Sequence, residues 1–232
     1  MNPDHSEIYL AQAQRYAQLV THEDHQHNIL PAIKEISPLD GLTVVEFGAG
    51  TGRLTRELAP LVKFIHAFDR SNPMLEVAAD NLAQSCQQNW QVQVADHRKI
   101  PLENGVADLV ISGWSICYLV EDHPLRWKKE LEKVLAEMLR LLRPAGRIIL
   151  LETLGTGFRA PEPPAHLLPY FKYLESRGFQ RRWIRTDYLF ENLEIAYDLT
   201  RFFFGEEMIP KIEKCGQGFI LPECTGLWSF PE

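Results

Sequence analysis

The feature that most constrains this chain is an alternation of two hydrophobic periods. Short β-branched and aromatic runs alternate with stretches in which apolar residues recur at three- and four-residue steps, the pattern of a parallel sheet covered by helices. Strands are expected at Thr43 to Phe47, Phe64 to Phe68, Trp90 to Val94, Asp108 to Ser112, Arg147 to Glu152, Arg182 to Tyr188 and in the terminal GFILPECTGLWSF. DLVIS is apolar apart from its ends, as suits a central strand buried on both faces. The clearest helix is Pro124 to Leu142, where Trp127, Leu131, Val134, Leu135, Met138, Leu139 and Leu142 form one stripe. Further helices are expected after Thr51, from Ser71 to Asn81, from Leu167 to Arg177, and across Glu191 to Lys214 with breaks near Gly205 and Pro210. GTGFRAPEPPAH is too rich in Gly and Pro for regular structure.

With 232 residues and 45% hydrophobic composition, the chain has enough apolar material for one substantial core, so a single domain over residues 1–232 is expected. The formal charge of -7 gives no long-range attraction to a phosphate backbone, which disfavours nucleic acid as a partner. MNPDHSEIYLAQAQRY lacks the basic start and apolar run of a secretory signal, and no stretch of about 18 apolar residues occurs. A cytoplasmic protein without membrane association is the expectation. The four cysteines, Cys86, Cys117, Cys215 and Cys224, form no C-x-x-C pair and read as reduced thiols.

The chemistry concentrates in VVEFGAGTGRL. Gly48, Gly50 and Gly52 fall at the carboxyl end of the first strand, where ligands of open α/β sheets bind. A dinucleotide fingerprint requires its third glycine three positions after the second, and Arg53 stands there. Glu46, just ahead of the glycines, repels a pyrophosphate but suits the ammonium group of an amino-acid-bearing nucleotide.

This spacing resembles the class I S-adenosylmethionine-dependent methyltransferases, and the resemblance runs from about Thr43 to Glu152 through several motifs in order. It implies a seven-stranded, mostly parallel sheet of order 3-2-1-4-5-7-6 with helices on both faces. It also implies S-adenosylmethionine as cofactor and S-adenosylhomocysteine as product. EFGAGTG places Glu46, Gly48, Ala49, Gly50 and Gly52 at the cofactor. Asp69, ending the second strand, corresponds to the family's acidic residue for the two ribose hydroxyls, which a carboxylate's two oxygens match; Arg70 follows it. Asp96 and His97, after the third strand, correspond to the adenine contacts, and Gly113 lies where the fourth strand lines the methionine end. RPAGRIILLE resembles the approach to the fifth strand, and LPECTGLWSF the tail of a subgroup of small methyltransferases.

The family resemblance also implies that the helices of residues 1–40 and a helical insertion near 190–215 cover the active site. Tyr16 reads equally as a closure over the methionine end and as a core aromatic. FFFGEEMIPKIEKCG reads as a core-packing helix or a hydrophobic lid. THEDHQHN, with His22, His25 and His27, has no zinc-motif spacing and is expected to be a solvated connection, so no metal site is expected. Trp114, Ser115, Cys117 and Tyr118 are expected to wall the acceptor, with His97 and His123 the nearest bases by sequence and no catalytic residue assigned. No N-P-P-Y-type tetrapeptide follows the fourth strand, which disfavours amino-group methylation of DNA. The expected activity is methyl transfer to a small molecule. The rivals are an RNA or protein methyltransferase, a non-catalytic binder of the cofactor and, least favoured, a nicotinamide dehydrogenase.

Overall fold

The computed structural model describes residues 3–85 and 87–231, so the reading of Cys86 lies outside the described residues. Its centre is a seven-stranded sheet of order β3-β2-β1-β4-β5-β10-β6. The strands are β1 (Thr43–Phe47), β2 (Phe64–Asp69), β3 (Trp90–Val94), β4 (Ala107–Gly113), β5 (Leu142–Thr156), β6 (Gln180–Arg185) and β10 (Glu223–Phe230). The first five run parallel, and β10 inserts antiparallel between β5 and β6. This is the order expected from the resemblance, with β10 as the seventh strand.

Both faces of the central strands are buried, and residues alternate strictly between two cores. Val45 and Phe47 of β1, Val110 of β4, and Ile148 and Leu150 of β5 face one side. There they pack with Leu131, Val134, Leu135, Met138 and Leu141 of α7 (Trp127–Leu141) and with Tyr170, Phe171 and Leu174 of α8 (Leu168–Ser176). Val44, Leu109, Ile111, Ile149 and Leu151 face the other, against α3 (Ile29–Ile36) and α4 (Arg53–Leu58). Leu139, expected on the buried stripe of α7, is 48% exposed; Leu141 takes its place. The helix starts at Trp127 rather than Pro124 because a short α6 (Tyr118–Asp122) and the turn after it occupy the preceding segment.

The last third departs most from the expected pattern. RWIRTDY is not one strand: β6 ends at Arg185, and Tyr188 opens β7 (Tyr188–Phe190). The terminal run likewise divides into β9 (Gly218–Leu221) and β10. With β8 (Glu213–Cys215), these form a second sheet of order β7-β9-β8. The break has a local cause. Pro222 has no N–H to continue the ladder, and Asp187 Oδ1 accepts from Glu223 N at 2.9 Å while Arg185 grips the same carboxylate.

The small sheet, with α9 (Leu193–Phe204) and α2 (Ala13–Val20), encloses a third core of Leu19, Tyr188, Phe190, Ala196, Leu199 and Leu221. FFF is thus partly core and partly cap: Phe203 and Phe204 pack on this core, and Phe203 also reaches Tyr16 at 5.2 Å between ring centroids. No helix among the described residues is long and apolar enough to cross a membrane.

Trp228 is the largest fully buried side chain and stacks on Phe171 at 4.6 Å between β10 and α8. Trp228→Ala is expected to cost about 3–5 kcal/mol in a denaturant titration. Trp228→Phe should cost much less, because it keeps most of the ring and the indole N–H has no partner among the described residues to lose.

Candidate active site

The chain leaves β1 through a tight turn that is held from the neighbouring strand. Phe68 O accepts from both Gly48 N at 2.7 Å and Ala49 N at 3.0 Å. Asp69 then divides its carboxylate: Oδ2 accepts from Gly50 N at 2.9 Å and Oδ1 from Ser71 N at 2.8 Å. Ser71 precedes α5 (Asn72–Ala83), but its hydroxyl does not cap that helix and donates instead to Tyr9 O at 3.0 Å. Gly48 has φ +74°, and a Cβ there would stand 2.0 Å from Ser115 Oγ, so both the conformation and the close approach of the segment after β4 require glycine. Gly52, with φ +82°, opens α4, and a Cβ would meet Ala78 of α5 at 3.1 Å.

Above this turn lies a cavity of about 680 Å³. Tyr16, Glu46, Gly48, Ala49, Gly50, Asp69, Arg70, Asp96, His97 and Gly113 all line it. Gly52 does not: it faces α5 and serves helix packing. Of the expected acceptor wall, Trp114, Ser115 and Tyr118 line the cavity, as does His123. Cys117 instead points into the core below and is 9% exposed.

The charged groups differ in kind. Glu46 is 1% exposed and accepts from Thr55 Oγ1 at 2.6 Å. Burial pushes its carboxyl up to about 7, the Thr55 bond opposing in part. Asp96 is open to solvent and gripped by Arg98, whose hydrogen bonds hold it down at about 2. His97 has the opposite character: burial lowers its pKa and disfavours the protonated ring, and Nε2 is buried without a partner among the described residues. Burial pushes the Tyr16 hydroxyl well up. Arg70, at the rim, pairs with Asp122 of α6 at 2.7 Å.

Several residues at the cavity escaped the sequence reading. Arg53 lines the cavity, lies over the Trp114 ring at 4.1 Å, and pairs with Glu23 at 2.5 Å. Its Nη2 is buried without a partner among the described residues. Glu23 also accepts from Tyr188 Oη at 2.7 Å, and Asp24 accepts from Asn28 N and Ile29 N at the start of α3. THEDHQHN is therefore solvated only in part: Thr21, Gln26 and His27 are exposed, but the side chains of its two acids are buried structural anchors. Nothing local signalled the burial of Glu23, whose partners Arg53 and Tyr188 lie elsewhere in the chain, whereas the partners of Asp24 are the N–H groups four and five residues on. Among the described residues no group of three or more His, Cys, Asp and Glu is placed to hold a metal.

Glu152, at the end of RIILLE, is fully buried and accepts from Cys117 N at 3.0 Å and Tyr170 Oη at 2.9 Å, anchoring the segment that walls the cavity after β4.

A methyltransferase-domain family model matches residues 45–150. The chain is 28% identical over 161 residues to an uncharacterized methyltransferase of Anoxybacillus flavithermus, covering 66% of this chain and 69% of that protein. It is 31% identical over 134 residues to the demethylmenaquinone methyltransferase of Lactococcus lactis, covering 55% of this chain and 49% of the relative, about half its length. The fold is similar to that of an S-adenosylmethionine-dependent methyltransferase from Aquifex aeolicus, with a TM-score of 0.54, 16% identity and coverage of 97% and 93% of the two chains.

The Glu152 anchor has a pH signature. Burial raises its carboxyl to about 7, against an ordinary 4.5, so between those values the folded chain binds more protons than the unfolded one. Its contribution to stability is complete below about pH 4.5 and is lost as the pH rises through 7. Glu152→Gln keeps the acceptor oxygen and removes the titration. Its stability relative to the native chain should rise by about 2–3 kcal/mol from pH 5 to pH 8 in denaturant titrations.

Proposed function

We propose, from the premise that this chain belongs to the class I S-adenosylmethionine-dependent methyltransferases, that it methylates a small-molecule acceptor. The observation that carries this reading is the cavity itself. Its volume of about 680 Å³ lies within the range of small-ligand sites. Its wall combines the glycine turn with Tyr9 and Tyr16 from α1 (His5–Ala11) and α2, and Phe203 of α9 packs against both tyrosines. The charge of -7 gives a polyanionic acceptor no general attraction. That a relative is a demethylmenaquinone methyltransferase supports the same acceptor class.

The residues present fit the cofactor. Gly50, on the cavity wall with φ +54°, carries no Cβ to hold a ligand off the backbone of the turn, and only the flexible end of Met74 lies near that position. Glu46 offers a buried carboxyl to an ammonium group, Asp69 faces the cavity with lone pairs beyond its two backbone bonds, and the unpartnered Nε2 of His97 lies on the same wall. In this reading Glu46 and Gly113 serve the methionine end, Asp69 and Arg70 the ribose corner, and Asp96 and His97 the adenine end. Tyr16 closes over the methionine end, with residues 1–40 and 190–215 acting as a cover within a single domain. When bound, S-adenosylmethionine supplies an electrophilic methyl group that an acceptor lone pair attacks in line while the carbon–sulfur pair returns to sulfur. The chain's own part is to hold the acceptor about 3 Å from that carbon and to exclude water.

Calorimetric titration with S-adenosylmethionine, S-adenosylhomocysteine and NAD tests the cofactor without an acceptor in hand. Both adenosyl ligands should bind and NAD should not. Asp69→Ala should weaken both adenosyl ligands by roughly 1.5–3 kcal/mol, about 10- to 150-fold, through loss of charge-assisted bonds. Unchanged affinity would remove Asp69 from the ribose corner, and absence of adenosyl binding would remove the methyltransferase reading altogether.

A further inference from the structure

Tyr9 of α1 and Tyr118 of α6 stand on the cavity wall, and their hydroxyl oxygens are 2.7 Å apart. Tyr118 Oη is also 3.2 Å from Nδ1 of His5, and Nε2 of the same ring is 3.0 Å from Phe203 O on α9. A carbonyl oxygen can only accept, so Nε2 carries the proton of the neutral ring and Nδ1 is left as an acceptor. That settles the direction of every bond in the chain. Tyr118 donates to His5, Tyr9 therefore donates to Tyr118, and the open end is a lone pair on the hydroxyl of Tyr9, a residue of the cavity wall. The imidazole is held in place by stacking on Phe203 at 4.5 Å and 15°, and it meets Tyr118 edge-on at 5.9 Å. The tyrosine rings beside His5 are those of Tyr9, at 6.3 Å, and Tyr118.

We propose that Tyr9, Tyr118 and His5 form a proton relay for a hydroxyl-bearing acceptor, a phenol or an alcohol, methylated on oxygen. This rests on the methyltransferase reading above and adds to it the class of acceptor and the path of its proton. A carboxylate acceptor arrives already ionised, whereas a hydroxyl must shed its proton as it attacks. The acceptor O–H donates to Tyr9 Oη, the Tyr9 proton passes to Tyr118 Oη, and the Tyr118 proton passes to His5 Nδ1. Each tyrosine gives one proton and receives one, so both end neutral. The acceptor oxygen keeps the electron pair that forms its bond to the methyl carbon. His5 ends as an imidazolium donating to Tyr118 Oη and Phe203 O, and it bears the positive charge that the reaction as a whole must conserve. Burial pushes both tyrosine hydroxyls well above their ordinary range, so an isolated tyrosinate is disfavoured and the protons pass in concert. Tyr9 would touch the acceptor. His5, which is not on the cavity wall, acts through the two tyrosines.

The probe is 4-nitrophenol, whose phenolate absorbs in the visible while the phenol does not. It is added to the full chain saturated with S-adenosylhomocysteine, so that nothing is methylated and the signal reports proton transfer alone. Bound probe should show about a tenfold larger ratio of phenolate to phenol than free probe at the same pH, equivalent to one pKa unit. His5→Gln and Tyr118→Phe, which respectively remove the terminal base and cut the relay while keeping similar shapes, should each abolish that excess while calorimetry still shows the probe bound. Absence of excess phenolate, persistence of the excess in both variants, or failure of the probe to bind the S-adenosylhomocysteine complex would overturn the relay and leave the methyltransferase reading standing. A native chain that does not bind S-adenosylhomocysteine would overturn that reading, and the relay with it.

Discussion

The turn that closes β1 depends on one backbone carbonyl. Phe68 O receives both Gly48 N and Ala49 N, and the next residue, Asp69, receives Gly50 N. These three bonds tie the glycine segment to the end of β2 and leave the Gly48 backbone bare toward the segment after β4, where Ser115 approaches too closely for any side chain. Everything else at the cavity is placed relative to this junction. The carboxyl ends of β1, β2 and β4 meet there because parallel strands deliver all their exits to one edge of the sheet, as open α/β sheets do.

A second tie joins this floor to the N-terminal helices and the small sheet. Arg53 is the first residue of α4, and it pairs with Glu23 from the loop after α2 while stacking on Trp114. Tyr188 of the small sheet donates to the same Glu23. Three separate parts of the chain therefore converge on one buried ion pair, with side chains 11% and 3% exposed. A buried pair of this kind gives little net stability but strongly disfavours any arrangement that strands either charge. It specifies how the N-terminal helices and the last third sit over the glycine turn. The His5–Tyr118–Tyr9 chain adds a polar path that joins α1, α6 and α9.

The central layer was legible because its signals are local. β1 and β3 have the bounds expected from their β-branched runs, and β2 and β4 extend them by a residue or so. Helix α7 shows its buried stripe in its spacing, with Leu141 exchanged for Leu139 and Leu142. The last third was misread where long-range pairing overrides local propensity. RWIRTDY has the composition of one strand, yet it divides because Arg185, Asp187, Pro222 and Glu223 form a buried kink that only the folded chain assembles. THEDHQHN looked solvated because its residues are polar; the Glu23 and Asp24 side chains are buried nonetheless, Glu23 paired with Arg53 and Tyr188 and Asp24 with the N–H groups of Asn28 and Ile29.

By itself the sequence determined the kind of sheet, the place of the glycine turn, and the acidic residues after successive strands, since each rests on a period or spacing within one stretch of chain. Only the tertiary structure decided which of those residues share a cavity: it admits Glu46, Asp69 and His97 and turns Gly52 and Cys117 away. It alone brought Arg53 to Glu23, 30 positions earlier, and His5 to Tyr118, 113 positions later. The physical reason is range. Helix and strand periods are written over a few neighbouring residues, whereas a desolvated charge or a directed hydrogen bond needs a partner whose distance along the chain no local pattern records.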